Sequence, residues 1–289
     1  MDHIEARLEH SQRVFLNFDL GGHDVRFGRV NHLEPVDDTT GSTHALGIAK
    51  QWLETCRTSP AHSRCREAYQ NISNGSHSSL PRLPTRILHV GSGNQDPYLV
   101  ESHGARARYC ILSYCWGRPG TAITTKVNKP ERQKGIPLTS LPTLIHESIL
   151  TTRSLDFKYL WVDASCIIQD DPDDWAREAS QMHELYACAD LIITSLVAGD
   201  SWDKPFQHRP QDMTIYRPIP LHLELPKWDR PEFVKGDILE LAVYPPKDMI
   251  FEDYIGPVHQ RAWILQEQAM STRLLYFEAR MLHWECLDR

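Results

Sequence analysis

Apolar residues fall in short runs separated by polar clusters, and the period of the pattern changes along the chain. YCILSYCWG (109–117), YLWVDASCII (159–168) and ADLIITS (189–195) are nearly continuous apolar segments bounded by turn-forming residues. That is the pattern of strands buried on both faces. Between the first two, TSLPTLIHESILTTRSL (139–155) sets Leu141, Leu144, Ile145, Ile149 and Leu155 at near-helical spacing. After the second, Asp171 reads as a helix N-cap, with Pro172 as first helical residue and acids in the first turn. Trp175, Ala179, Met182, Tyr186 and Ala189 would line one face of that helix. A β–α–β–α–β order predicts an α/β fold, a parallel sheet with right-handed crossovers flanked by helices.

Outside this body the pattern is less regular. Residues 1–45 have weak periodicity, although VFLNFDLGGHDVRFGRV fits a hairpin around Gly21-Gly22. The stretch from His44 to Tyr69, with ALGIAKQWLETC, reads as one amphipathic helix, and 71–84 as a Ser/Asn/Pro-rich loop. TRILHVG and PYLVES follow as two short strands. Residues 201–260 hold nine of the nineteen prolines, with IPLHLEL and ILELAVY as strand candidates, and read as an insertion. VHQRAWILQEQAM then predicts a helix, and RLLYF and MLHWEC two last strands. The expected organisation is an N-terminal extension over 1–84 and a domain over 85–289, interrupted at 201–257. The chain stops just after a core-like strand, which reads as the edge of one module of something longer.

Hydrophobic residues make up 41% and charged residues 24% of the 289, an ordinary globular balance. A net charge of −7 and the lack of any basic run argue against a general nucleic-acid binder. No apolar segment is long enough for a bilayer span, and MDHIEARLEH lacks the apolar core of a secretory signal. Seven cysteines without a repeated spacing suggest free thiols in a reducing, cytoplasmic setting.

In parallel sheets, ligands bind at the carboxyl ends of strands. Ser113, Tyr114, Trp116 and Gly117 follow the first strand of the body, and Asp163, Cys166 and Gln169 follow the second, so these side chains are candidates for one binding rim. The alternative is that Asp163 caps a turn and Cys166 fills core space. Trp263 and Glu267, four apart, share a helical face; a carboxylate beside an indole is partly desolvated, which raises its pKa. Glu178, three after Trp175, has the same pattern but reads as solvated. Cys56, His62 and Cys65 form a C-x5-H-x2-C cluster that offers three soft ligands without an adjacent fourth. A helix and loop with ordinary thiols is preferred over a metal site, and a metal-dependent enzyme built on the cluster ranks only third among the functional readings. Phosphate-binding, dinucleotide-fingerprint, zinc-protease and serine-elbow motifs are all missing, and Gly91-Ser92-Gly93 is only a turn.

Taken together, ILSYCWG, YLWVDASCIIQDDPDDWAREASQMHELYACADLIITS and RAWILQEQAMSTRLLYF resemble the heterokaryon-incompatibility (HET) domain of filamentous fungi. WLETCRTSPAHSRC and LPTRILHVG look like the segment commonly upstream of it. The resemblance implies a domain that triggers regulated cell death when incompatible hyphae fuse. It also implies a flavodoxin-like sheet, through a distant likeness to Toll/interleukin-receptor (TIR) domains, many of which cleave NAD with a glutamate four residues after a tryptophan. Trp263 to Glu267 is similar to that arrangement. On this resemblance Glu267 is the expected catalytic residue, with Ser113, Tyr114, Trp116, Gly117, Asp163, Cys166, Gln169, Arg261 and Trp263 binding substrate. NAD would be substrate, with no cofactor required. Self-association and partner signalling proteins are implied, and neither nucleic acid nor membrane. The competing expectation is a non-enzymatic, self-associating adaptor, since fold alone does not choose between the two.

Overall fold

The computed structural model describes residues 4–9, 13–19, 24–25, 39–72, 80–118, 122–206, 219–221, 239–241, 256–261, 264–278 and 282–288. The chain divides into two compact units, one of residues 1–38 with 209–252 and one of 39–208 with 253–289. In the first, strands β1 (Ile4–Glu9), β2 (Arg13–Asp19) and β3 (Asp24–Val25) form an antiparallel sheet. The β2–β3 pair is the hairpin expected around the two glycines. β9 (Ile219–Leu221) and β10 (Leu239–Leu241) pair antiparallel, within the two strand candidates of the Pro-rich stretch.

The second unit is built on a seven-stranded sheet. Its strands are β4 (Arg86–His89), β5 (Tyr98–Glu101), β6 (Cys110–Ser113), β7 (Tyr159–Trp161), β8 (Leu191–Ser195), β11 (Arg273–Phe277) and β12 (Leu282–Cys286). Their order is β12-β11-β8-β6-β7-β4-β5. β11, β8, β6 and β7 run parallel. Every residue of β6, β8 and β11 is buried, which is why those segments read as unbroken apolar runs. The expectation of a parallel sheet needs correcting, because β4, β5 and β12 are antiparallel to their neighbours and the sheet is mixed. β4–β5 and β11–β12 are joined by connections too short for a parallel crossover.

The parallel strands begin with β6, step one way to β7, then cross back over β6 to β8 and on to β11. Right-handed crossovers therefore send the β6–β7 and β7–β8 connections to opposite faces. The first carries α3 (Lys129–Lys134) and α4 (Thr143–Ser154), and α4 packs on β6 and β7. The second carries the turn α5 (Asp163–Cys166), then α6 (Pro172–Ser180) and α7 (Met182–Cys188). α8 (Ile264–Met270) leads into β11 and packs on α7.

Three helical expectations change. The single helix over 44–69 is two, α1 (Thr43–Thr58) and α2 (Ser63–Ile72), broken where Ser59 caps α1 and Pro60 cannot continue it. The strand YLWVDASCII ends at Trp161, because Asp163 opens a helical turn and accepts from Ala164 N at 2.7 Å. Asp171 does cap α6, but the buried face of that helix is Asp174 and Glu178, while Trp175 is 53% exposed. The solvated reading of Glu178 is thus overturned: Arg86, buried on β4, draws both acids inward.

Candidate functional site

The order of the parallel strands reverses between β6 and β8, and such a reversal opens a crevice at the strands' carboxyl ends. Ser113 is the last residue of β6, opposite Thr194 of β8, whose hydroxyl donates to the Ser113 carbonyl at 2.6 Å. At this point α8 brings in Glu267, which is 3% exposed. The Ser113 hydroxyl donates to Glu267 Oε2. Ser271, one turn later on the chain, donates to the Glu267 carbonyl and fixes the end of the helix.

Arg261 closes the cluster from the other side. Its Nη2 donates to Glu267 Oε1 at 3.0 Å and its Nη1 to Oε2 at 3.3 Å, a two-pronged pairing with the carboxylate. Nη1 also reaches the Ser113 hydroxyl at 3.4 Å. Tyr186 of α7 lies beside Glu267, and burial, followed by that carboxylate, drives its phenol well above the ordinary range.

A second carboxylate stands at the tip of β7. Asp163 accepts from Trp116 Nε1 at 2.7 Å. Burial raises its pKa, partly offset by the Trp116 and Ala164 N–H groups and by Arg261. Tyr114, itself buried, is pushed well up by that burial and by Asp163 beside it. Ser113, Tyr114, Trp116, Asp163, Arg261 and Glu267 thus form one connected cluster, with Arg261 as the cation between two acids. Such a cluster offers an anion-binding fork, a masked carboxylate and an indole 41% exposed at the rim.

The other expected residues serve the backbone around this cluster. Cys166 is buried, with its thiol pushed up to about 12 by that burial, and its carbonyl accepts from Arg86 Nε at 2.8 Å. Gln169 Nε2 donates to the carbonyls of Asp163 at 3.0 Å and Ile167 at 3.3 Å, clamping the turn. Gly117 has φ +61°, and a Cβ there would lie 2.5 Å from the Asp200 carboxyl carbon. Gly117→Ala is therefore expected to cost roughly 1–2 kcal/mol from the left-handed backbone alone, plus displacement of Asp200 from Arg118 N and Nε at 2.9 and 2.8 Å. A lowered denaturant midpoint checks this. Trp263 lies outside the described residues.

Tyr186 was missed because a helical tyrosine beside Leu185 reads as ordinary core. A cavity of about 750 Å³ opens elsewhere, lined among others by Thr85, Glu101, Arg106, Glu178 and Glu184. It does not include the Glu267 cluster. Metal-ligating side chains gather at a different place again, where Cys286 joins Cys56, His62 and Cys65. Among the described residues no helix is long and apolar enough to cross a membrane.

A family profile described as "Heterokaryon incompatibility protein (HET)" matches residues 109–267, more than half of the chain and ending on Glu267 itself. No curated protein and no solved structure matches.

Proposed function

The chain belongs to the heterokaryon incompatibility family, which gives it a role in heterokaryon incompatibility and its cell death, and from that premise we propose that the domain kills by hydrolysing NAD. The observation that carries this reading is the Glu267 carboxylate, buried at the switch point of the sheet and held by Ser113 and Arg261. In the reaction, the bond between C1′ of the nicotinamide ribose and the pyridinium nitrogen breaks. Its electron pair leaves with nicotinamide, and the ribose gains oxocarbenium character. Water adds to C1′ and its proton passes to solvent, giving nicotinamide, ADP-ribose and H⁺.

Glu267 stabilises the cationic sugar from a water-poor position, where a fixed negative charge acts strongly. The TIR-like resemblance points to the same residue. Arg261 is the natural partner of the pyrophosphate. A phosphate competing for its fork would draw it from Glu267 and unmask the carboxylate, so that binding itself arms the site. Trp116 offers a ring for stacking, and Tyr114 and Asp163 hydrogen-bond the ribose. No resident cofactor is needed, and the substrate pool is cytoplasmic.

The test is direct. Purified protein incubated with NAD is expected to release nicotinamide, and NAD is expected to raise the thermal midpoint, as binding to the native state requires. No release at any protein concentration would remove the enzyme. A self-associating adaptor is the second reading, for which Leu265 and Met270, 75% and 44% exposed on α8, supply apolar side chains. On that reading killing survives loss of the Glu267 charge and fails when Leu265 is made polar.

A further inference from the structure

Four side chains that the NAD reading does not use meet at the edge of the sheet. Cys56 lies near the end of α1, His62 in the turn after it, Cys65 at the start of α2 and Cys286 at the end of β12. Cys56 and Cys65 are fully buried, and His62 and Cys286 are each 7% exposed. One ligand atom from each falls within 4.8 Å of all the others. His62 Nδ1 stands 3.4 Å from Cys286 Sγ. For tetrahedral zinc, with Zn–S about 2.3 Å and Zn–N about 2.0–2.1 Å, ligand atoms sit roughly 3.6–3.8 Å apart. The cluster is therefore within about 1 Å of the size of a coordination sphere before any ion is added. All three cysteines are free thiols, so no disulfide accounts for their convergence.

The surroundings point the same way. Arg273 of β11, itself buried, donates from Nε to Cys56 Sγ at 3.0 Å, and its Nη1 is held by Asp190 Oδ1 at 2.8 Å. A guanidinium aimed at sulfur fits a thiolate. Zinc with three thiolates and one neutral imidazole carries one net negative charge, which a buried cation beside the sphere compensates. If the thiols merely filled space, an apolar neighbour would serve better than a buried histidine and arginine.

We propose that Cys56, His62, Cys65 and Cys286 bind a zinc ion. The donor set, three sulfurs and one nitrogen, is the soft tetrahedral type that selects this metal, and four protein ligands leave no position for substrate. The ion is structural. It joins the α1–α2 pair to β12 across a sequence separation of 224 between His62 and Cys286. It thereby ties β12, the terminal strand of the sheet, to the helix packed on that strand. It also anchors the β11–β12 hairpin, which continues directly from α8. All four ligands lie outside residues 109–267, so the family match does not bear on them.

The full chain, purified without chelator or added metal, should contain about one zinc per chain by elemental analysis, as a closed four-ligand site requires. Exchange into cobalt(II) should give the intense visible bands of tetrahedral cobalt together with strong sulfur-to-cobalt charge transfer. Cys286→Ser should weaken both, whereas Cys188→Ser, at a cysteine outside the cluster, should leave them unchanged. If Cys286→Ser does not fold, the charge-transfer intensity of the unaltered chain decides the matter, since three thiolates absorb more than one or two. Zinc well below stoichiometry with no cobalt bands overturns the proposal. So does a cobalt spectrum indifferent to Cys286, or a disulfide among these three cysteines.

Discussion

Replacing Glu267 with glutamine is expected to lower nicotinamide release from NAD by roughly 10²–10³-fold, the usual effect of removing one preorganised electrostatic group from a water-excluded site. Glutamine has the same shape and keeps a carbonyl oxygen that accepts from the Ser113 hydroxyl or the Arg261 guanidinium. What it lacks is the negative charge that faces the ribose as the C–N bond breaks. The loss should fall on kcat and much less on KM, because the interaction strengthens only as the sugar becomes cationic. The fold should survive. The Arg261 side chain is 23% exposed, so it reaches water when its carboxylate partner is gone. The measurement is steady-state nicotinamide release by both proteins, with thermal midpoints confirming that both are folded. A variant that turns over NAD as fast as the unaltered chain removes Glu267 from the mechanism.

Much of this cluster is legible in the sequence. Continuous apolar runs ending in polar residues marked the parallel strands, and the carboxyl-end rule picked Ser113, Tyr114, Trp116 and Asp163 from their tips. The Asp171-Pro172 pair announced the start of α6, and Asp171 accepts from the backbone of Asp173 and Asp174 as a cap should. What stayed hidden depends on contacts distant in sequence. Asp174 and Glu178 look like solvent-facing helix acids until Arg86, on a strand some ninety residues earlier, is placed opposite them. Trp175 looks like the core residue of that helix for the same reason. Cys286 gives no local sign of completing a cluster that begins at Cys56. Helix and strand periods register which face is apolar, but not which buried charge on another element redefines that face.

Arg86 should prove the most sensitive position outside the site. It is buried, pairs with Asp174, reaches Glu178 Oε1 at 3.4 Å and donates to the Cys166 carbonyl at 2.8 Å. Asp174, also buried, in turn accepts from Ile168 N at 2.8 Å. Arg86→Met would leave two buried carboxylates whose remaining ion-pair partner among the described residues is Arg177, half exposed. Orphaning a buried charge in this way costs about 3–5 kcal/mol, and Arg177 moves the expectation toward the lower end. The pH dependence has a definite sign. Burial already raises the Glu178 carboxyl, with Thr85 and Arg86 pulling it back. Without Arg86 the native state holds protons that the unfolded chain releases. Stability of the variant therefore falls as pH rises from the ordinary glutamate range toward neutrality, and mild acid partly restores it. Adding Asp174→Asn and Glu178→Gln should recover much of the loss, because neutral amides need no cation and the new amide oxygen at position 174 still accepts from Ile168 N. Denaturant midpoints for the three proteins at neutral and mildly acidic pH decide this. The same network pins the turn that presents Asp163, so Arg86→Met should also slow any NAD turnover. If its midpoint matches the unaltered chain, the turn is held instead by Ala164 N and Gln169.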